Sequence, residues 1–185
     1  MRRPATLFTL GHSTHPQAEF IDILRGQGIL AIADVRRFPG SRKYPHFNAA
    51  LMAQWLPEAG IEYLPFPSLG GRRKPAKDSP NTGWRNESFR AYADYMQTEE
   101  FLAGLDELQA KAKQTPTAIM CAEAVPWRCH RSLIADALLV RGWKVMDVMS
   151  ATTAKEHKLT PFAVVEGTMI TYPRGADESP PPLFR

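Results

Sequence analysis

Short apolar runs alternate along the chain with stretches in which apolar side chains recur every three or four residues, and this alternation predicts strands and helices in turn. Thr6 to Leu10 combines β-branched and aromatic side chains and runs into Gly11-His12-Ser13-Thr14, a strand ending in a loop. Phe20, Ile21, Ile23 and Leu24 keep helical spacing until Gly26 and Gly28 interrupt it. Ile29 to Val35 reads as a second buried strand. Leu51, Met52, Trp55 and Leu56 form a helical face that closes at Pro57 and Gly60, and Ile61 to Leu64 is a third strand. A long stretch rich in Gly, Pro, Ser and Asn, from Ser68 to Asn86, reads as a loop; loops of this length tend to be functional or mobile. Helical stripes follow, Phe89-Tyr92-Met96 and then Phe101, Leu102, Leu105 and Leu108. Thr117 to Cys121 is a fourth strand, Leu133 to Leu139 a helix stopped by Gly142, Trp143 to Met149 a fifth strand, and Met169 to Tyr172 a small terminal one. The expected fold is a single α/β domain over 1–173, with a mostly parallel, helix-covered (Rossmann-like, three-layer) sheet of about five strands. A flexible Pro-rich tail over 174–185 is expected to follow, around Pro180-Pro181-Pro182.

Composition refines this picture in three places. The chain has 185 residues, enough for one domain with a sizeable core. Its 16 prolines are about 9% of the chain, against a usual share of about 5%, so stiffened loops are expected. No stretch approaches the ~20 apolar residues of a membrane helix, and Leu7 to Leu10 is too short for a secretory core despite Arg2 and Arg3. A cytoplasmic protein without a membrane partner is the expectation. Two cysteines do not make a disulfide scaffold, so their chemistry comes before any architectural role.

The net charge of +4 hides an uneven distribution. Between Val35 and Pro57 there is no acid but there are Arg36, Arg37, Arg42 and Lys43; Tyr63 to Lys77 repeats this with Arg72, Arg73, Lys74 and Lys77. These windows are either two solvated loops or a site for an anionic partner, a small molecule or a nucleic acid. The predominance of arginine, whose planar fork suits phosphate and carboxylate, favours the second reading.

In a parallel sheet ligands gather beyond the carboxyl ends of the strands, and the unusual functional groups fall there. The first strand ends at His12 and Ser13, and the second at Asp34, Arg36 and Arg37. The third leads to Gly70-Gly71-Arg72. The fourth ends at Cys121 and Glu123, ahead of Arg128-Cys129-His130-Arg131. Four readings of the cysteines stand side by side: Cys121 as a thiolate nucleophile favoured by nearby cations and a helix start; Cys121, Cys129 and His130 as ligands of zinc or iron; a reversible Cys121–Cys129 disulfide; and two small buried hydrophobes. Under the catalytic reading, His12 or His130 moves protons and Asp34 and Glu123 orient them. Arg36, Arg72, Arg128 and Arg131, with Ser13, Gly70 and Gly71, then bind the anion. Trp84, Phe89, Tyr92 and Tyr95 are either a stacking face or, for the last three at helical spacing, core.

Taken together, Gly11-His12-Ser13, Asp34-Val35-Arg36 with Pro39 and Ser41, Pro45-His46-Phe47-Asn48, Leu69-Gly70-Gly71-Arg72, Tyr92 to Met96 and Met120-Cys121-Ala122-Glu123 with Trp127-Arg128-Cys129-His130-Arg131 resemble the motif set of the domain-of-unknown-function family 488. The resemblance runs from about Thr6 to Tyr172. It implies a compact bacterial-type α/β domain in which His12, Asp34, Arg36, Arg72, Cys121, Glu123, Cys129, His130 and Arg131 form one site, and it assigns no reaction.

Overall fold

Residues 5–175 are described in a computed structural model. The tail expected over 174–185 therefore lies outside the described residues beyond Gly175. Strand β1 (Thr6–Gly11) begins a series in which apolar side chains alternate between two faces of one sheet. β2 (Ala31–Asp34), β3 (Glu62–Pro65), β4 (Thr117–Cys121) and β5 (Lys144–Val148) follow, and these five strands pair with one another in parallel. Leu7, Ala33, Ile119 and Val145 enter one core with α3 (Glu87–Tyr95), α4 (Glu99–Ala112) and α5 (Arg131–Leu139). Leu10, Ile32, Met120 and Val148 enter the other, with α1 (Gln17–Gly26) and α2 (Ala49–Glu58). This is the expected three-layer α/β arrangement, with a sheet order of β3-β2-β4-β1-β5-β6.

Three details differ from the sequence reading. The sheet gains a sixth, antiparallel edge strand, β6 (Ala154–Glu156), paired with β5. A separate hairpin joins β7 (Val164–Glu166) to β8 (Met169–Thr171). Pro57 lies inside α2 instead of closing it, and the helix yields one residue pair later to Gly60, whose φ is +79°. No helix among the described residues is long and apolar enough to cross a membrane.

Side-chain caps fix two helix starts. Asn86 accepts a hydrogen bond from Ser88 N–H at 2.8 Å to open α3, and Thr98 accepts one from Phe101 N–H at 3.3 Å to open α4, where Glu99 and Glu100 face the positive end of the helix. Thr98→Ala is expected to cost about 1 kcal/mol, read as a lower urea midpoint with an unchanged slope.

The strand order creates a switch point. The chain leaves β1 across β4 to reach β2, with α1 on one face, whereas it leaves β4 across β1 to reach β5, with α5 on the other face. The crossovers diverge between β1 and β4, and the crevice so opened at their carboxyl ends is where doubly wound sheets hold ligands.

Candidate active site

The register that pairs Gly11 with Cys121 continues past both strands. His12 N–H donates to the Cys121 carbonyl at 2.9 Å and Ser13 N–H to that of Ala122 at 3.0 Å, while Val35 N–H donates to Met120 at 3.0 Å. The ends of β1, β2 and β4 are thereby brought to one edge. The segment after Cys121 then folds back over β1 so tightly that the Glu123 carbonyl oxygen lies 1.6 Å from where a Cβ on residue 11 would stand. Gly11 is the condition for that fold-back.

A cavity of about 550 Å³ opens at this edge. Among the residues singled out from the sequence, His12, Ser13, Arg36, Gly71, Arg72, Cys121, Glu123, Cys129 and His130 line it. Ser13 (φ +48°) and Arg72 (φ +59°) are the non-glycine residues with positive φ among the described residues, so backbone strain in the domain collects at this cavity. Asp34, Gly70 and Arg131 stand behind its walls. Arg128 lies on an exposed turn away from the lining.

The two basic windows meet here: Arg37 Nη1 donates to the Arg72 carbonyl at 2.8 Å, and Gly70 packs against the Arg37 backbone. Arg36, expected to bind an anion, lines the cavity with its guanidinium already engaged by protein groups. Its Nε and Nη2 donate to Asp34 at 2.9 and 2.7 Å, Nη2 also donates to the Phe47 carbonyl at 2.8 Å, and Nη1 faces His12 Nε2 at 3.3 Å. Asp34 is further held by the Tyr63 hydroxyl at 2.7 Å. With Nδ1 against the Ser13 carbonyl at 3.0 Å and its ring stacked on Phe47, His12 is fixed as a neutral imidazole. Burial, reinforced by the Arg36 charge, lowers its pKa to about 4.

On the opposite wall, Cys121 at the end of β4 and Cys129 on the turn before α5 are joined in a disulfide. His130 Nε2 lies 2.9 Å from the Val35 carbonyl and donates to it, which leaves Nδ1 as a lone pair facing the Cys129 sulfur at 3.7 Å. Its ring packs on Tyr92, and burial lowers its pKa to about 4 as well. Among the described residues no group of three or more His, Cys, Asp and Glu side chains is arranged to hold a metal ion.

Arg131 is the least expected member. It is 1% exposed. Its Nη1 lies 2.8 Å from Cys121 Sγ and 2.6 Å from the Glu123 carbonyl, Nη2 donates to the Ala124 carbonyl at 3.1 Å, and Nε to Thr9 Oγ1 at 3.4 Å. Burial lowers its pKa only to about 10, so it stays cationic at neutral pH. Among the described residues no carboxylate pairs with it directly; Asp147 is reached only through Thr9, which donates to it at 2.8 Å. Glu123, expected to orient a histidine, contributes its carbonyl to Arg131 and leaves its side chain exposed.

Behind Asp147 lies a cluster that the sequence reading missed. His157 sits between Asp147 and Asp136 at 3.0 Å from each, and Asp136 also accepts from the Tyr172 hydroxyl at 2.9 Å. Burial opposes a charge on His157, but the two carboxylates outweigh it and raise its pKa to about 9. The available signal was an aspartate set among apolar residues in each of α5 and β5, Asp136 within Leu133–Leu139 and Asp147 within Val145–Val148. Trp84, Phe89, Tyr92 and Tyr95 turn out to be packing residues. Trp84 stacks on Phe89, and the Tyr92 and Tyr95 hydroxyls donate to the Leu69 and Ser68 carbonyls. The long loop before them is pinned by Asp94, which accepts from Ala76 N–H, Ser79 and Asn81.

A central parallel sheet, a switch-point cavity and a Cys, His and Arg lining define an α/β domain of one recognisable kind. The chain belongs to the family described as Domain of unknown function DUF488, whose profile matches residues 16–138. That span includes Asp34, Arg36, Arg72 and the stretch from Cys121 to Arg131, and leaves His12 and Ser13 just before it. No curated protein and no solved structure is similar enough to count as a match.

Proposed function

We propose that the protein is an enzyme in which Cys121 and Cys129 work as a dithiol/disulfide centre on an anionic substrate held in the switch-point cavity. The observation that carries this reading is Arg131, a buried guanidinium that faces the Cys121 sulfur at 2.8 Å without a direct carboxylate partner among the described residues. A buried charge is costly until an opposite charge or a full set of hydrogen bonds meets it. The Cys121 thiolate, present when the centre is reduced, supplies that opposite charge. The guanidinium in turn favours the thiolate over the thiol.

The reduced centre then acts in two steps. The Cys121 thiolate attacks an electrophilic atom of the substrate, and the group bonded to that atom leaves with the electron pair. Cys129, which sits 3.7 Å from His130 Nδ1, next loses its proton to solvent and attacks the Cys121 sulfur. The disulfide closes and the rest of the substrate is released as an anion. The substrate has gained two electrons and the two cysteines have lost them; an external thiol reductant restores the dithiol. Exposed Arg37 and Arg72 at the cavity mouth bind the anion, while Arg36 and Asp34 hold His12 against the wall.

The test is alkylation of the dithiol-reduced protein by iodoacetamide across pH, with the modified residue mapped by mass. Cys121 is expected to react with a midpoint below about pH 7.5, at least one unit under the ~8.5 of an ordinary thiol. A midpoint at the ordinary value removes the reading. Cys129→Ser is expected to leave Cys121 reactive and able to accumulate a covalent adduct.

A further inference from the structure

We infer that the mouth of this cavity is a stacking platform for an unpaired nucleobase and its phosphate, so that the anionic substrate proposed above is a nucleotide unit. The inference rests on that cavity being the substrate site.

The observation is Phe38. In a domain that buries most of its aromatic rings, Phe38 is 65% exposed, although it lies on the wall of the cavity. Its ring stands between two cations from different loops, with the Arg37 and Arg72 guanidinium carbons 5.6 and 5.7 Å from the ring centre. Both guanidiniums lie over the ring within the ~6 Å reach of a cation–π contact, and the side chain still keeps 65% of its surface exposed. The platform is held in place: Arg37 is tied to the Arg72 carbonyl at 2.8 Å, and Arg72 keeps its strained φ of +59°. A second aromatic and cation pair stands on the same loop, with Lys43 5.5 Å from the ring centre of Tyr44, which also lines the cavity.

Open aromatic faces interleaved with cations are the means by which unpaired nucleic acid is held: bases stack on the rings and phosphates meet the charges. A free carboxylate metabolite or inorganic phosphate would use the arginines and leave the rings idle. A duplex buries the base faces that these rings would contact. The segments Val35 to Pro57 and Tyr63 to Lys77 carry no acid, so the loops that bear these rings do not repel a phosphate backbone; Glu123 is the exposed acid in the lining.

The experiment measures fluorescence anisotropy of a labelled oligothymidylate with the reduced protein, in competition with thymidine monophosphate, polyphosphate, duplex DNA and an acidic peptide. The oligonucleotide is expected to bind, polyphosphate of equal charge to compete at least tenfold less well, and Phe38→Ala to weaken binding by about tenfold with an unchanged salt slope. Phe38→Trp should retain affinity, with its fluorescence quenched on binding. Arg72→Ala should reduce the salt slope by about one. Competition by the mononucleotide at equal strength identifies a free nucleotide as the source, and weaker competition identifies a strand. Equal competition by polyphosphate, preference for duplex or acidic peptide, or indifference to Phe38→Ala overturns the inference. Because Phe38 is exposed, the variant is expected to keep the wild-type melting temperature. The alkylation profile of Cys121 is independent of these results, so a reactive Cys121 without base preference sinks this inference alone.

Discussion

Replacing Arg131 with methionine is expected to raise the alkylation midpoint of Cys121 by about one pH unit or more, which cuts its thiolate at pH 7 by roughly tenfold. The cause is direct: the guanidinium Nη1 at 2.8 Å is the nearest positive charge to the sulfur, and the surrounding burial weakens solvent screening. Methionine keeps much of the volume and removes the charge. It also leaves the Glu123 and Ala124 carbonyls without their donors, which costs about 2–4 kcal/mol of stability. The two effects separate experimentally, since a purely structural role would lower the melting temperature and leave the thiol titration where it was. Arg131→Lys sharpens the distinction. An ammonium restores the charge but cannot reproduce a fork that reaches the sulfur and two carbonyls at once, so the midpoint should return most of the way while stability recovers only in part.

The second large effect is a stability maximum near pH 6.5, with different histidines controlling its two sides. His12 and His130 have folded pKa values of about 4 against about 6.5 unfolded. Between those values the unfolded chain binds more protons, so stability falls as pH drops from 6.5 to 4, by up to about 3 kcal/mol for each group. His157 is the reverse case: its folded pKa of about 9 lies above the unfolded value. Its contribution is complete below pH 6.5 and is lost as pH rises to 9, again by about 3 kcal/mol. Urea midpoints measured from pH 4 to 10 check both limbs. His157→Gln should flatten the alkaline limb and leave the acid one, and a wild-type profile that is flat between pH 6.5 and 9 would refute the assignment.

The sequence makes the parallel strands legible because each is a short apolar run bounded by turn residues, as at Thr117 to Cys121, whose limits the structure reproduces. Ala154–Glu156 is three residues of Ala, Lys and Glu with no apolar pattern; it becomes a strand because the free edge of β5 offers hydrogen bonds. The collection of reactive groups at one edge follows from parallel strands and the binding rule for their ends. The tasks of individual arginines do not follow. Arg36 is withdrawn by Asp34 two residues earlier, whereas Arg131 is drawn beneath Cys121 by contacts that include Thr9, 122 positions away. Thr9 and Asp147 are 138 positions apart. Only the register of β1 between β4 and β5 makes them neighbours, and no local spacing encodes it. Phe38 left a trace, an aromatic ring inside a basic loop, that gains meaning only once its exposure is known.

The divergence of the crossovers at β1 and β4 gives the cavity walls separate foundations. His12 leans on Phe47, which belongs to the core beneath α1 and α2, while His130 leans on Tyr92, in the core beneath α3, α4 and α5. A substrate seated in the cavity as proposed above would rest on both packing units at once. Under the proposed function, a substitution in one layer that shifts Phe47 or Tyr92 is expected to move one histidine and leave the other in place.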